Sequence, residues 1–216
     1  MTRKNKVLWG RFFNSLNVFN APRTLRSFNS FDEVTRFRLI NSFVVAFGFS
    51  MLGPVMTVLQ GTLMLAWIIA LFHIIEMVAV KTNELFVHSF TTERLFHLTV
   101  ILHLLYTLTA LTYYWNPILM VYLDSFFALV ETMVIGAYSI KLNNYIAKSQ
   151  PKSMSRFQIV RNSSWADGAL IGLFISTLTL YFYELGVTLG LFLVVNMGFT
   201  VWLFSHWNFY KGKIKE

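Results

Sequence analysis

Six stretches of the chain, 39–59, 62–80, 95–114, 117–140, 168–184 and 186–207, are apolar almost without interruption, and polar residues collect in the gaps between them. Each stretch is close to the roughly 20 residues that an α-helix needs to cross a bilayer. The pattern predicts an all-α polytopic integral membrane protein with six transmembrane helices. The connections at Gln60-Gly61, Trp115-Asn116 and Leu185 are only a residue or two long. Turns that short force consecutive helices to be antiparallel neighbours, which gives three tight hairpins, 39–80, 95–140 and 168–207.

Ahead of the first run, Leu8, Trp9, Phe12, Phe13, Leu16 and Phe19 recur at helical spacing opposite Lys6, Arg11, Asn14 and Asn17. This is the signature of a short amphipathic helix lying in the membrane interface. Ser30 and Glu33 stand at capping-box spacing, so a further helix is expected to begin near Phe31 and to lead into the first span. The organisation is therefore a basic arm (1–38), a transmembrane domain (39–208) and a short basic tail (209–216).

Charge orients these elements. All eighteen Lys and Arg residues avoid the apolar runs and fill only alternate gaps: eight before the first run, Lys81 and Arg94 in the second gap, five between Lys141 and Arg161, and three after the last run. By the positive-inside bias, both termini are expected in the cytoplasm, in a bacterial inner membrane or on the equivalent face of an organelle. Residues 1–31 hold six bases and no acid. That composition also fits a mitochondrial transit peptide, so a mitochondrial membrane stays open as the alternative.

The net charge of +8 does not point to nucleic acid, because the bases are spread over four juxtamembrane segments and form no single patch. Their expected partner is the anionic head-group layer of the bilayer. Only 13% of residues are charged and the longest polar stretch between the runs is about 141–167, which excludes an additional soluble domain. The chain has no cysteine, so disulfides, thiolate metal sites and iron–sulfur clusters are ruled out. Trp115 with Tyr113 and Tyr114, Tyr181 with Tyr183, and Trp165 and Trp207 fall at predicted run boundaries, where amphipathic rings form interfacial girdles.

The candidate chemistry lies inside the runs: His73 and Glu76 in the second, His103 in the third, Asp124 and Glu131 in the fourth, and Asn196 in the sixth. A charged carboxylate at mid-bilayer costs about 2.5–3.5 kcal/mol on insertion scales, so each needs a partner, water or a proton. Asp124 and Glu131 are seven residues apart, two helical turns, which puts them on one face about 10.5 Å apart along the axis. Counted at about 1.5 Å per residue from the predicted inner ends, Glu76, His73, His103 and Glu131 lie roughly 6, 10, 12 and 14 Å deep. With no Lys or Arg inside the runs, the available counter-charges are histidine, a proton or a bound cation. His88, His97 and His206 sit at run boundaries and are expected to be structural. Gly136-Ala137 and the pair Gly168, Gly172 suit close helix packing.

The segment Leu123-Asp124-Ser125, Leu129, Glu131, ending in Lys141-Leu142, resembles the second span of cation diffusion facilitators, a resemblance that implies six spans and a metal cation as cargo. Phe127, however, stands where that pattern has a metal-binding Asp or His. The same Leu123-Asp124-Ser125 span, with Trp165 and Trp207, is similar to nicotinamide riboside carriers of the PnuC type, but their paired Trp and Asn signature at the start of the penultimate span is missing. The chain is placed in neither family.

The expected function is a small transporter or channel for a cation, a proton or a proton-coupled small solute, with Glu131, Asp124, Glu76, His73, His103 and Asn196 along the pathway. The alternative is a non-transporting membrane subunit, an anchor, sensor or assembly factor, that contacts cytoplasmic proteins through its basic arm and the 141–167 loop. A second copy of the chain is a further partner class. No catalytic, cofactor or fixed metal site is expected, since no nucleophile elbow, phosphate loop or compact ligand motif occurs.

Overall fold

The computed structural model describes residues 28–63, Trp67, Ile75, Asn83 and 86–214. The described residues are all-helical, and five helices among them are long and apolar enough to cross a membrane. In chain order these are α1 (Glu33–Thr62), α2 (Thr92–Thr109), α3 (Pro117–Ser149), α4 (Met154–Phe182) and α5 (Leu185–Ser205). A 3₁₀ helix, Ala110–Tyr114, prolongs α2 to a 23-residue apolar rod. The amphipathic pattern of residues 7–19 lies outside the described residues, as does nearly all of the run 62–80.

Local chemistry explains where the helices begin. Asp32 Oδ1 accepts the Thr35 amide at 2.8 Å at the start of α1, whose first helical residue is Glu33. The helix expected near Phe31 is there and continues directly into the first apolar run, with the Asp32 carboxylate in a capping position. Thr91, in extended backbone, accepts the Arg94 amide at the start of α2. Asn116 does the same for α3, accepting from Ile118 and Leu119 at 3.0 and 3.1 Å, with Pro117 at the first helical position where its missing N–H is harmless.

The helices run past several of the expected boundaries. α1 carries through Gln60-Gly61 to Thr62, and the connection expected at Leu185 lies instead at Tyr183-Glu184, with Leu185 opening α5. The largest difference concerns the 141–167 loop. α3 extends to Ser149 and α4 starts at Met154, so all that separates them is Gln150 and a 3₁₀ turn at Pro151–Ser153. Loss of hydropathy marks where a helix can leave the membrane, not where it stops. What stops α3 is Pro151, which forces Gln150 out of helical geometry (φ −136°, ψ 59°). At about 1.5 Å per residue the 33 residues of α3 span roughly 50 Å, well beyond the roughly 30 Å hydrocarbon core.

The chain divides into two compact units. The first, up to Met51 together with Ile146–Ile175, joins the first part of α1 to α4. Here the backbones touch. A Cβ on Gly168 would collide with the Phe43 carbonyl, and one on Gly172 would lie 2.5 Å from the Phe47 carbonyl oxygen. The glycines, four apart on one face of α4, therefore admit α1 at a distance that any side chain would forbid. Ser164 Oγ donates to the Leu39 carbonyl at 2.9 Å on the same face, and Phe31 meets Phe157 edge to face.

The second unit, Leu52–Tyr145 with Ser176–Glu216, packs α2 against α5. Its C-terminal segment is not a free tail. Trp207 stacks on His97 with ring centres 4.0 Å apart, and its carbonyl is 2.9 Å from His97 Nε2. Tyr210 is buried against Phe96, and its hydroxyl hydrogen-bonds that of Tyr138. Away from these contacts the surface is apolar: Phe182, Val194 and Val201 are each more than 60% exposed, and Trp115 and Tyr181 about 80%. Side chains of this kind, exposed on this scale, belong against lipid rather than water.

Gly172→Ala is expected to destabilise the protein in detergent by about 1–3 kcal/mol through overpacking against α1. Gly198→Ala, on an exposed position with open space around it, is expected to be neutral or to stabilise by up to about 1 kcal/mol through helix propensity. Thermal unfolding of the two variants side by side measures the difference; equal melting temperatures would contradict the close α1–α4 contact.

Candidate functional site

α2, α3 and α5 are apolar along most of their length, so a buried titratable group on any of them is conspicuous. Four of the expected pathway residues are among the described residues, and all four are buried: Glu131 and Asn196 at 0% exposure, His103 at 1% and Asp124 at 6%. His73 and Glu76 lie outside the described residues.

Two of the four are joined directly. His103 Nδ1 on α2 lies 3.1 Å from Glu131 Oε1 on α3. With a proton on Nδ1, the imidazole donates to the carboxylate. Nε2 is then a lone-pair acceptor in the neutral ring and a second donor in the imidazolium. The ring is held on a regular stretch of helix, because the neighbouring hydroxyls close on their own backbone: Thr107 donates to the His103 carbonyl at 2.7 Å and Thr99 to that of Leu95 at 2.9 Å.

The remaining valences of the cluster point to unfinished bonding. His103 Nε2, Glu131 Oε2, Asp124 Oδ1 and Asn196 Oδ1 are all buried and have no hydrogen-bond partner among the described residues. Asn196 spends its amide N–H on the Phe192 carbonyl at 3.1 Å, one turn back on α5, and Thr200 donates to the Asn196 carbonyl at 2.8 Å. Ser125, beside Asp124, donates to Val121 on its own helix and gives the carboxylate nothing. Native interiors leave few buried polar atoms unpaired, and those that remain need a functional or solvent explanation.

Tyr106 is a member of this cluster that the sequence reading passed over. It is buried one turn beyond His103 on α2, lies in the field of both Asp124 and Glu131, and sets its ring edge to face against Phe192 at 6.1 Å. Its signal was present as a polar aromatic three residues from a buried histidine. It was lost among the many aromatics of an apolar run. The contact with Phe192 also turns the Asn196-bearing part of α5 toward α2.

The boundary histidines are accounted for otherwise. His97 and His206 are bonded to the carbonyls of Trp207 and Trp202, and His88 is exposed. Groups of three or more His, Asp or Glu able to hold a metal ion are not found among the described residues. No family model, curated protein or solved structure matches the chain.

His103→Leu leaves Glu131 buried without its partner and is expected to cost about 3–5 kcal/mol, whereas His103→Leu with Glu131→Leu removes both polar groups and is expected to recover most of it. Denaturant unfolding of the single and double variants in micelles reads this. A double variant no more stable than the single would remove the direct pairing.

Proposed function

We propose that the protein is a small membrane transporter or channel that moves a cation, a proton or a proton-coupled small solute. The observation that carries this reading is a buried acid–imidazole pair whose outward valences, with those of Asp124 and Asn196, are unpartnered among the described residues inside apolar helices. Such groups are costly in a bilayer, and pathways for protons and cations are where membrane proteins retain them. The charge signs agree: α5 has no Lys or Arg, α3 none before Lys141, and α2 none beyond Arg94. A negatively biased interior of this kind attracts cations and repels anions. With the bases on the cytoplasmic side, Asp124 faces the outer half of the membrane and Glu131 lies nearer its middle.

In proteoliposomes, Glu131→Gln and Asp124→Asn are expected to abolish flux while leaving the protein monodisperse and helical by circular dichroism. Wild-type flux in both variants would overturn the assignment.

A second reading has its own support. The stretch expected as a loop at 141–167 is a continuation of α3 and α4, with Lys148, Lys152 and Arg156 exposed along it. Exposed bases held on helices suit docking to a cytoplasmic protein. If the chain is a non-transporting subunit, Lys148→Ala, Lys152→Ala and Arg156→Ala together are expected to release a co-purifying partner, and the intramembrane variants to be silent.

A further inference from the structure

Resting on the transport reading above, the identity of the moved species can be taken further. Two features of the cluster separate a proton from a metal cation. First, His103 and Glu131 are bonded to each other. Ligands of one metal ion turn their lone pairs toward a common point about 2.0–2.2 Å from each, whereas here His103 Nδ1 and Glu131 Oε1 are spent on each other, so that these two atoms do not serve one ion together. Second, the polar groups are strung along the helices. Asp124 and Glu131 are about 10.5 Å apart on α3, too far for one ion to bridge.

The gap between those two carboxylates is filled from α2. α2 and α3 are connected through Trp115-Asn116 and meet at His103–Glu131, so they pass each other in opposite directions. Three residues further along α2 from His103 is Tyr106, and three residues back along α3 from Glu131 is Ala128. Tyr106 therefore lies level with Ala128, between the two acids. Ala128 is small there and carries no polar group of its own. On the opposite side, the Tyr106 ring rests against Phe192 of α5.

We infer that Asp124, Tyr106, Glu131 and His103 form a proton relay, in which Tyr106 is the hydroxyl that carries a proton across the two-turn interval between the carboxylates. Each step balances. Asp124 gives its proton to the phenol oxygen as the phenol gives its own toward Glu131, directly or through water, so one O–H bond forms as another breaks and Tyr106 stays neutral. Glu131 then passes a proton to Nδ1 of a neutral His103, and Nε2 releases one on the far side, leaving the other tautomer of the ring. Rotation of the ring resets the pair. The titratable groups facing the relay are His103 and Tyr106 from α2 and Asp124 and Glu131 from α3. α5 supplies the neutral Asn196, whose buried Oδ1 has no partner among the described residues.

The test uses the full chain in liposomes with a trapped pH-sensitive dye and a potassium–valinomycin potential. Wild-type protein is expected to acidify the lumen. Glu131→Gln is expected to reduce the rate to that of protein-free vesicles, and Tyr106→Phe, which keeps the ring contact with Phe192 and loses only the hydroxyl, to slow it roughly 10²-fold at unchanged melting temperature. Proton flux equal to that of empty vesicles overturns the relay, and full flux in Tyr106→Phe removes that residue from it. A parallel arm without valinomycin follows sodium and potassium with fluorescent reporters. Glu131-sensitive movement of either ion without proton flux overturns the proton assignment and leaves the transport reading standing. Silence in both arms overturns the relay and, for protons, sodium and potassium, the transport reading.

Discussion

The constraint on which this molecule turns is the cost of holding polar groups inside helices that face hydrocarbon. Backbone hydrogen bonds are satisfied within each helix, and the threonine and serine hydroxyls along α2, α3 and α5 mostly close on the carbonyl one turn back. That leaves ionisable side chains as the groups that must find partners between helices. The pairing of His103 with Glu131 answers this for one nitrogen and one oxygen. It also sets the register of α2 against α3, which is what puts Tyr106 between the two acids. A single contact at 3.1 Å thus links the stability of the second unit to its chemistry.

Elsewhere cohesion comes from different means. In the first unit, Gly168 and Gly172 let two backbones meet, and Ser164 adds a hydrogen bond along the same line. In the second, an aromatic set around Phe96, His97, Tyr138, Trp207 and Tyr210 ties the C-terminal segment to α2 and α3. Without a hydrophobic drive between helices in lipid, close packing and polar contacts of this kind have to hold the bundle together.

Much of this was readable from the chain, and the misreadings share a cause. The helical class and the apolar runs were clear because roughly 20 apolar residues in a row have few other uses. The helix ends were less clear, because hydropathy reports the solvent around a helix and not its hydrogen bonding. Hence α3 and α4 continue through residues 141–149 and 154–167, and the break sits where Pro151 dictates. Asp124, Glu131, His103 and Asn196 stood out as polar letters in an apolar text. Tyr106 did not, since an amphipathic ring in a membrane helix is ordinary until its neighbours are known. Trp207, read as an interfacial ring, stacks on His97, a contact the chain alone did not reveal.

By itself the sequence determined the helical class, the apolar runs, the one-sided layout of bases and the presence of acids and imidazoles with no Lys or Arg beside them. Those properties depend on composition and on spacing along one helix, both of which are local. Only the tertiary structure decided that His103 meets Glu131, that Tyr106 stands level with the interval between Asp124 and Glu131, and that the Gly168 face receives α1. Rotation of a helix about its axis and its register against a neighbour are set by packing between chain-distant side chains, and no count of residues along the chain contains them.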